Sequence, residues 1–223
     1  MNVAMPASSV SAFEIYYNFL SERGRFFNLT SIEGLRDVIK LHFLDSISLL
    51  KIADFEGKRV IDIGSGAGFP GLPLKIAQPR IDITLLDANQ KRVSFLSELC
   101  GILEIEASCV HARAEDAVRK IEMREQFDIA LSRAVARLNI LCELCIPFIR
   151  VGGVFLAMKS LASDGEIKEA EKAIDILGAE VAEVYDYLIP ETERWHRVVI
   201  IMKKASTPDE YPRRFARIQK KGL

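Results

Sequence analysis

Cysteine is scarce in this chain of 223 residues. The four thiols, Cys100, Cys109, Cys142 and Cys145, lie among apolar neighbours and are too few for a disulfide framework, so free thiols in a reducing, cytoplasmic setting are expected. No apolar run reaches the ~18 residues that a membrane-spanning helix needs, so no membrane partner is expected. The stretch 1–12 has no Lys or Arg ahead of an apolar segment, which argues against a secretory leader. Charge of one sign is also missing. Thirty Lys and Arg against 31 Asp and Glu give a net charge of −1, which excludes a uniformly basic coat for nucleic acid but leaves room for a local patch. Low-complexity segments and internal repeats are absent. What is abundant is core material: 49% of residues are hydrophobic, ample for one α/β-sized domain with extensions.

The positive charge is concentrated at one end. Lys203, Lys204, Arg213, Arg214, Arg217, Lys220 and Lys221, against Asp209 and Glu210, give the last residues a net +5 and leave the rest at −6. Upstream, Val10, Phe13, Ile15, Tyr16, Phe19 and Leu20 recur at helical spacing, with Gly24 as the expected stop. A second helical pattern covers 32–53. From residue 59 short β-branched runs alternate with amphipathic stretches. Strands are expected at 60–63, 81–86, 105–110, 127–132, 151–158 (after a Gly152-Gly153 turn), 181–189 and 197–202. Helices are expected between them, ending near Gln78 and spanning 89–101, 139–150 and 164–177. Such alternation means a mostly parallel sheet covered by helices on both faces. The last connection is too short for a crossover helix, so the final strand should run antiparallel to its neighbour. The expected organisation is an N-terminal helical extension (1–56), a ligand-binding core (57–205) and a basic, mobile tail (206–223).

The strongest chemical signal is Asp62-Ile63-Gly64-Ser65-Gly66-Ala67-Gly68-Phe69-Pro70-Gly71, between the first strand and the helix after it. Glycines there let the backbone approach a ligand and adopt positive φ. Asp87 ends the second strand some twenty residues on, where an acid accepts hydrogen bonds from ribose hydroxyls. The string Gly66 to Gly71 also fits the dinucleotide pattern G-x-G-x-x-G, which alone is weak. Asp62 beside the loop suits a cationic ligand better than a pyrophosphate. Pro70 removes an N–H where a pyrophosphate would want a donor. A sulfonium nucleoside without phosphate, S-adenosyl-L-methionine, therefore fits the loop; a plain strand–turn–helix that binds nothing is the alternative.

Further stretches line up in order: Asn28-Leu29-Thr30-Ser31, His42-Phe43-Leu44-Asp45-Ser46, Leu85-Leu86-Asp87-Ala88 with Lys91-Arg92-Val93, and Ser132-Arg133-Ala134 with Leu138-Asn139. With the loop from Asp62 to Leu74 they resemble the ribosomal RNA small subunit methyltransferase G family, also called glucose-inhibited division protein B, from about Phe13 to Lys204. The resemblance implies a class I (Rossmann-like) methyltransferase: a seven-stranded, mostly parallel sheet with the last strand antiparallel, plus N-terminal helices. It implies methyl transfer from S-adenosyl-L-methionine to N7 of a guanine in the decoding-region loop of 16S ribosomal RNA. The partner would be that RNA or the 30S subunit, met by a monomer. By motif, Gly64, Phe69, Ala114, Glu115 and Arg133 contact the cofactor, Asp87 takes the ribose position, and Gly66 and Gly68 complete the loop.

Other candidates have competing readings. Arg133 ends the fourth strand, where it can hold a phosphate or guanine, or form a surface ion pair. His42 and Asp45, with Asn28 upstream, either line the RNA pocket or form a local hydrogen-bonded cap. Lys159, after the fifth strand, either meets a phosphate or is a solvated strand end. Glu115 and Asp116 also suit a helix's first turn. Cys142 and Cys145 have metal-like spacing but no second ligand pair, so buried thiols are expected and no metal site. Trp195 and Tyr187 are expected in the core or a hairpin rather than on a base. Arg213, Arg214, Arg217, Lys220 and Lys221 interleave with Phe215 and Ile218, a pattern for RNA phosphates or for solubility alone. Two further functions stand beside RNA methylation: a same-fold methyltransferase for a small molecule or protein, and a non-catalytic ribosome-binding module.

Overall fold

The computed structural model describes residues 5–27, 32, 34–133 and 136–223. Seven strands form one mixed sheet, and the chain divides into two units, Met1–His111 with Leu188–Arg194 and Ala112–Tyr187 with Trp195–Leu223. Among the described residues no helix is long and apolar enough to cross a membrane.

The first unit opens with α1 (Ser9–Phe27), which buries Tyr16, Phe19 and Leu20. It runs through Gly24, against the expected stop. A single interior glycine costs only about 1 kcal/mol relative to alanine, which a buried apolar face outweighs. A second helical run follows without a break: α2 (Leu35–Val38), a π-helical turn over Ile39–Leu44, α3 (Asp45–Ile47) and a 3-10 turn to Lys51. The hydroxyls of Ser46 and Ser48 donate to the carbonyls of His42 and Leu44, at 2.6 and 2.7 Å, so side chains satisfy part of the register that the wide turn disturbs. Then come β1 (Arg59–Ile63), α4 (Gly71–Ala77), β2 (Asp82–Asp87), α5 (Gln90–Ile102) and β3 (Ser108–His111). The run β3-β2-β1 is parallel, with Ile61 opposite Thr84 and Leu86 opposite Val110. Val60, Ile61, Leu85 and Leu86 are buried, as continuous apolar strands covered on both faces require.

The second unit contains α6 (Ala114–Ala117), β4 (Phe127–Arg133), α7 (Leu138–Cys145), β5 (Ile149–Ser160), α8 (Asp164–Ile176), β6 (Ala179–Leu188), β7 (Trp195–Lys203) and α9 (Phe215–Lys220). Its strand run is β4-β5-β7-β6. β5 is parallel to β4, and β7 runs antiparallel to β5, so the last strand is reversed as expected. Gly152 and Gly153 do not form a turn before a strand. They lie within β5, in a bulge where Phe127 pairs with Ile149 but Ile129 with Val154. A Cβ on Gly153 would stand 2.5 Å from the Asp128 carbonyl, so this close approach needs glycine.

The expected mobile tail is also corrected. Arg124 donates to the carbonyls of Thr207 and Tyr211, Arg119 to that of Pro212, and Glu125 accepts from the Thr207 N–H at 2.7 Å. Beyond these, Ile218 of α9 is 0% exposed. Terminal position suggested a loose end because it cannot show that Arg119, Arg124 and Glu125, far upstream, hold the backbone of this segment.

Candidate cofactor and substrate site

The glycine loop belongs to the first unit. Gly64, Gly66 and Gly68 have φ of +74, +58 and +103°, conformations that L side chains rarely adopt. The N–H groups of Gly64 and Ser65 both donate to the Leu86 carbonyl, which hangs the loop on β2. Asp87 completes the tie: one oxygen accepts from the Gly66 N–H at 2.9 Å and the other from the Asn89 N–H at 2.8 Å, with Arg92 3.5 Å away. The ribose candidate is therefore also the brace of the loop. Asp62 is 0% exposed, and its Oδ2 accepts from the Gly71 N–H at 2.8 Å, so one of its oxygens holds the start of α4. Gly71 permits this: a Cβ there would stand 2.9 Å from Asp62 Oδ2.

The loop glycines serve different ends. Around Gly66 a Cβ would meet only the Gly64 carbonyl, at 3.9 Å, so that side of the loop faces open space. Around Gly68 a Cβ would stand 2.6 Å from the Tyr16 hydroxyl, so that side is packed. Tyr16 donates to the Ala67 carbonyl at 2.5 Å, and its ring lies parallel to Phe69 at 5.3 Å. His42, on the π-helical turn, is stacked with Phe69 at 4.3 Å. Phe69 is thus buried in an aromatic stack. The sequence reading missed Tyr16 as a loop support: its helical spacing marked it as core, and nothing marked its hydroxyl for Ala67.

In the second unit Ala114 and Glu115 start α6. Glu115 is buried, and burial pushes its carboxyl above the usual range. Arg133 ends β4, half-buried. Lys159 does not offer its charge to a phosphate: its ammonium donates to the Ala136 carbonyl at 2.6 Å and to Glu166 at 2.7 Å. Glu166 also accepts from the Leu138 N–H. Burial works against that carboxylate, but the Lys159 hydrogen bond and the Leu138 N–H hold it below its usual value. Arg213 is likewise engaged, with Glu143. Arg214, Arg217, Lys220 and Lys221 are exposed. Cys142 and Cys145 are buried on α7. Tyr187 is buried, and Trp195, 52% exposed, opens β7 after the short connection from β6, so each falls within the expected core or hairpin. Asn28 lies outside the described residues.

The family model described as rRNA small subunit methyltransferase G matches residues 9–193. The chain belongs to the rRNA small subunit methyltransferase G family. Relatives carrying that name include one from Lachnoclostridium phytofermentans, 45% identical over 203 residues (90% of this chain, 84% of the relative). Another, from Alkaliphilus oremlandii, is 43% identical over 226 residues (100% and 94%). Solved structures similar in fold include M. jannaschii TYW2 in complex with AdoMet, TM-score 0.58 at 14% identity (78% of this chain, 79% of that one). A SAM-dependent methyltransferase from Aquifex aeolicus has TM-score 0.56 at 17% identity (74% and 93%). The match takes in the N-terminal helices and strands β1 to β6; it ends at residue 193, before β7 and α9.

Proposed function

We propose that this chain transfers the methyl group of S-adenosyl-L-methionine to N7 of a guanine in the decoding-region loop of 16S ribosomal RNA. The substrate is that RNA or the 30S subunit, the chain acts as a monomer, and the compartment is the cytoplasm. Family membership across residues 9–193 carries the reading, and the cleared side of Gly66 supports it.

The residues present fit the methyl donor. A loop with open space over Gly66 admits a ligand against backbone. Asp87 accepts from Gly66 on one oxygen and from Asn89 on the other, with Arg92 3.5 Å away; a carboxylate offers about four positions, so room is left for a ribose hydroxyl. Gly64, Gly66 and the backbone of Gly68 and Phe69 seat the donor, Ala114 and Glu115 flank its adenine, and Arg133 forks towards a phosphate or the guanine. When bound, S-adenosyl-L-methionine supplies a methyl carbon on a sulfonium, which is a good leaving group.

Guanine N7 carries a lone pair and no proton, so no side chain has to serve as a base. The work left to the protein is to align and to exclude water. Alignment of two reactants is worth roughly 7–11 kcal/mol, enough for a large rate gain without a nucleophile or metal on the protein. Arg214, Arg217, Lys220 and Lys221 supply cations for the RNA backbone, with a salt-dependent affinity.

The test is incubation with labelled S-adenosyl-L-methionine and either naked 16S rRNA or 30S particles, followed by mapping of the label. Label at guanine N7 in the decoding-region loop is expected. Label on neither substrate, or on another atom, contradicts the reading.

A further inference from the structure

The residues after β7 present two sets of charges with opposite fates. Arg213 is turned inward. Its backbone N–H donates to Glu143 Oε1 at 2.7 Å, its Nε to the same oxygen at 2.9 Å, and its Nη2 to Glu143 Oε2 at 2.7 Å. Glu143, on α7, is 0% exposed, so this is a forked ion pair against a buried carboxylate. The same guanidinium also donates to the Lys221 carbonyl at 3.1 Å, which ties the far end of α9 to its near end. α9 packs on α7 through the buried Ile218. Arg113, directly before Ala114, lies over the Phe215 ring at 4.8 Å. A Cβ on Gly222 would collide with Asn139, so the chain end reaches the start of α7, five residues beyond Arg133.

The remaining cations point outward. Arg214 and Lys221 stand at the two ends of α9, with Arg217 and Lys220 between them, and all four are exposed. Among the described residues none of the four is ion-paired, whereas Arg137, Arg150 and Arg197 of the same unit all face carboxylates. Leaving four neighbouring cations unpaired in a chain of net charge −1 is the pattern of a surface that meets an external polyanion.

We propose that α9 is a preformed phosphate-binding platform rather than a loose basic tail. Arg113, Arg214, Arg217, Lys220 and Lys221 make its face, and the buried Glu143–Arg213 pair sets its place beside the starts of α6 and α7. The partner is the sugar–phosphate backbone of the substrate RNA, so the proposal rests on the methyl-transfer reading. A platform held in place has fewer chain conformations to lose on binding than a free tail with the same charges. Placement, not charge alone, should therefore set affinity.

Two variants separate these effects, with purified 16S rRNA in a filter-binding titration at several salt concentrations and S-adenosylhomocysteine in calorimetry. R214Q/R217Q/K220Q should weaken RNA binding about tenfold or more and lower the log–log salt slope by about 2, with S-adenosylhomocysteine affinity unchanged. Glu143→Gln keeps every outward cation, so it should weaken RNA binding while the salt slope stays. Unchanged RNA affinity in the triple variant overturns the platform. Loss in the triple variant but none in Glu143→Gln overturns the role of placement. Binding of naked RNA intact in both, with methylation lost only on 30S particles, assigns the face to a ribosomal protein and overturns the RNA assignment. Failure of the methyl-transfer reading looks different: the unaltered protein then labels no substrate, whatever α9 does.

Discussion

The glycine loop and the C-terminal segment are held by different physics. Backbone hydrogen bonds to Leu86 and Asp87 and an aromatic stack of Tyr16, Phe69 and His42 secure the loop. Guanidinium and ammonium groups secure the segment after β7: Arg119, Arg124, Lys203 and Arg213 against carbonyls and carboxylates. The first kind of anchoring is short-ranged and relies mostly on backbone groups and ring packing. The second depends on charges that must stay paired, because a buried charge without its partner is costly. The proposed cofactor seat thus rests on packing, and the proposed RNA-binding face on electrostatics.

Gly68→Val attacks the packed side of the loop and should have the largest effect. Its Cβ would stand 2.6 Å from the Tyr16 hydroxyl at a φ of +103°, so overpacking and strain add. A loss of about 4 kcal/mol is expected, read as a fall in thermal midpoint. A midpoint within error of the unaltered protein would break the distinction between Gly68 and Gly66.

Arg213→Met attacks the charged anchoring. It takes the guanidinium from the buried Glu143 and leaves it the backbone N–H of residue 213, at a cost of about 3 kcal/mol by denaturant titration, at the lower end because that N–H stays and Arg213 is partly exposed. Little loss would mean that water reaches Glu143 and the anchoring is soft.

The pH response sharpens the comparison further. Burial pulls the Lys203 ammonium down to about 8 from 10.5, against the pull of Glu125 at 3.2 Å. Between those values the unfolded chain binds more protons than the native one, so native stability should rise with pH across that window. Lys203→Met should flatten the rise, measured by denaturant unfolding at stepped pH. A profile with the same slope in both proteins would place the titrating group elsewhere.

Tyr16→Phe should have the smallest effect. It keeps the ring stack and removes the hydrogen bond to Ala67, worth about 1 kcal/mol. Part of that loss should appear as weaker S-adenosylhomocysteine binding in calorimetry; unchanged affinity would show that the hydroxyl is irrelevant to the loop.

The parallel strands and their helices were legible because β-branched runs alternated with helical spacing, and the short connection before β7 gave away its reversed direction. The loop was legible because closely spaced glycines after a strand have few other uses. What was hidden depends on pairings distant in sequence. Asp62 precedes the loop, but its hold on the start of α4 is visible only once Gly71 is seen 2.8 Å away. Lys159 looked like a phosphate contact because it follows β5, but Glu166 on α8 takes its charge. The Gly152-Gly153 pair read as a turn, because a bulge shows only when β4 lies alongside. The tail read as mobile, because its partners Arg119, Arg124, Glu125 and Glu143 are all some seventy or more residues upstream.

The most direct test of the account is calorimetric titration with S-adenosylhomocysteine of the unaltered protein and of Gly66→Val, with a thermal melt of each. The open side of Gly66 predicts saturable binding to the first, none to the second, and two melts a few degrees apart at most, since the new side chain meets only backbone strain of about 1–2 kcal/mol. Equal affinity in both proteins, or no binding in the unaltered one, would contradict the seat assigned to the methyl donor.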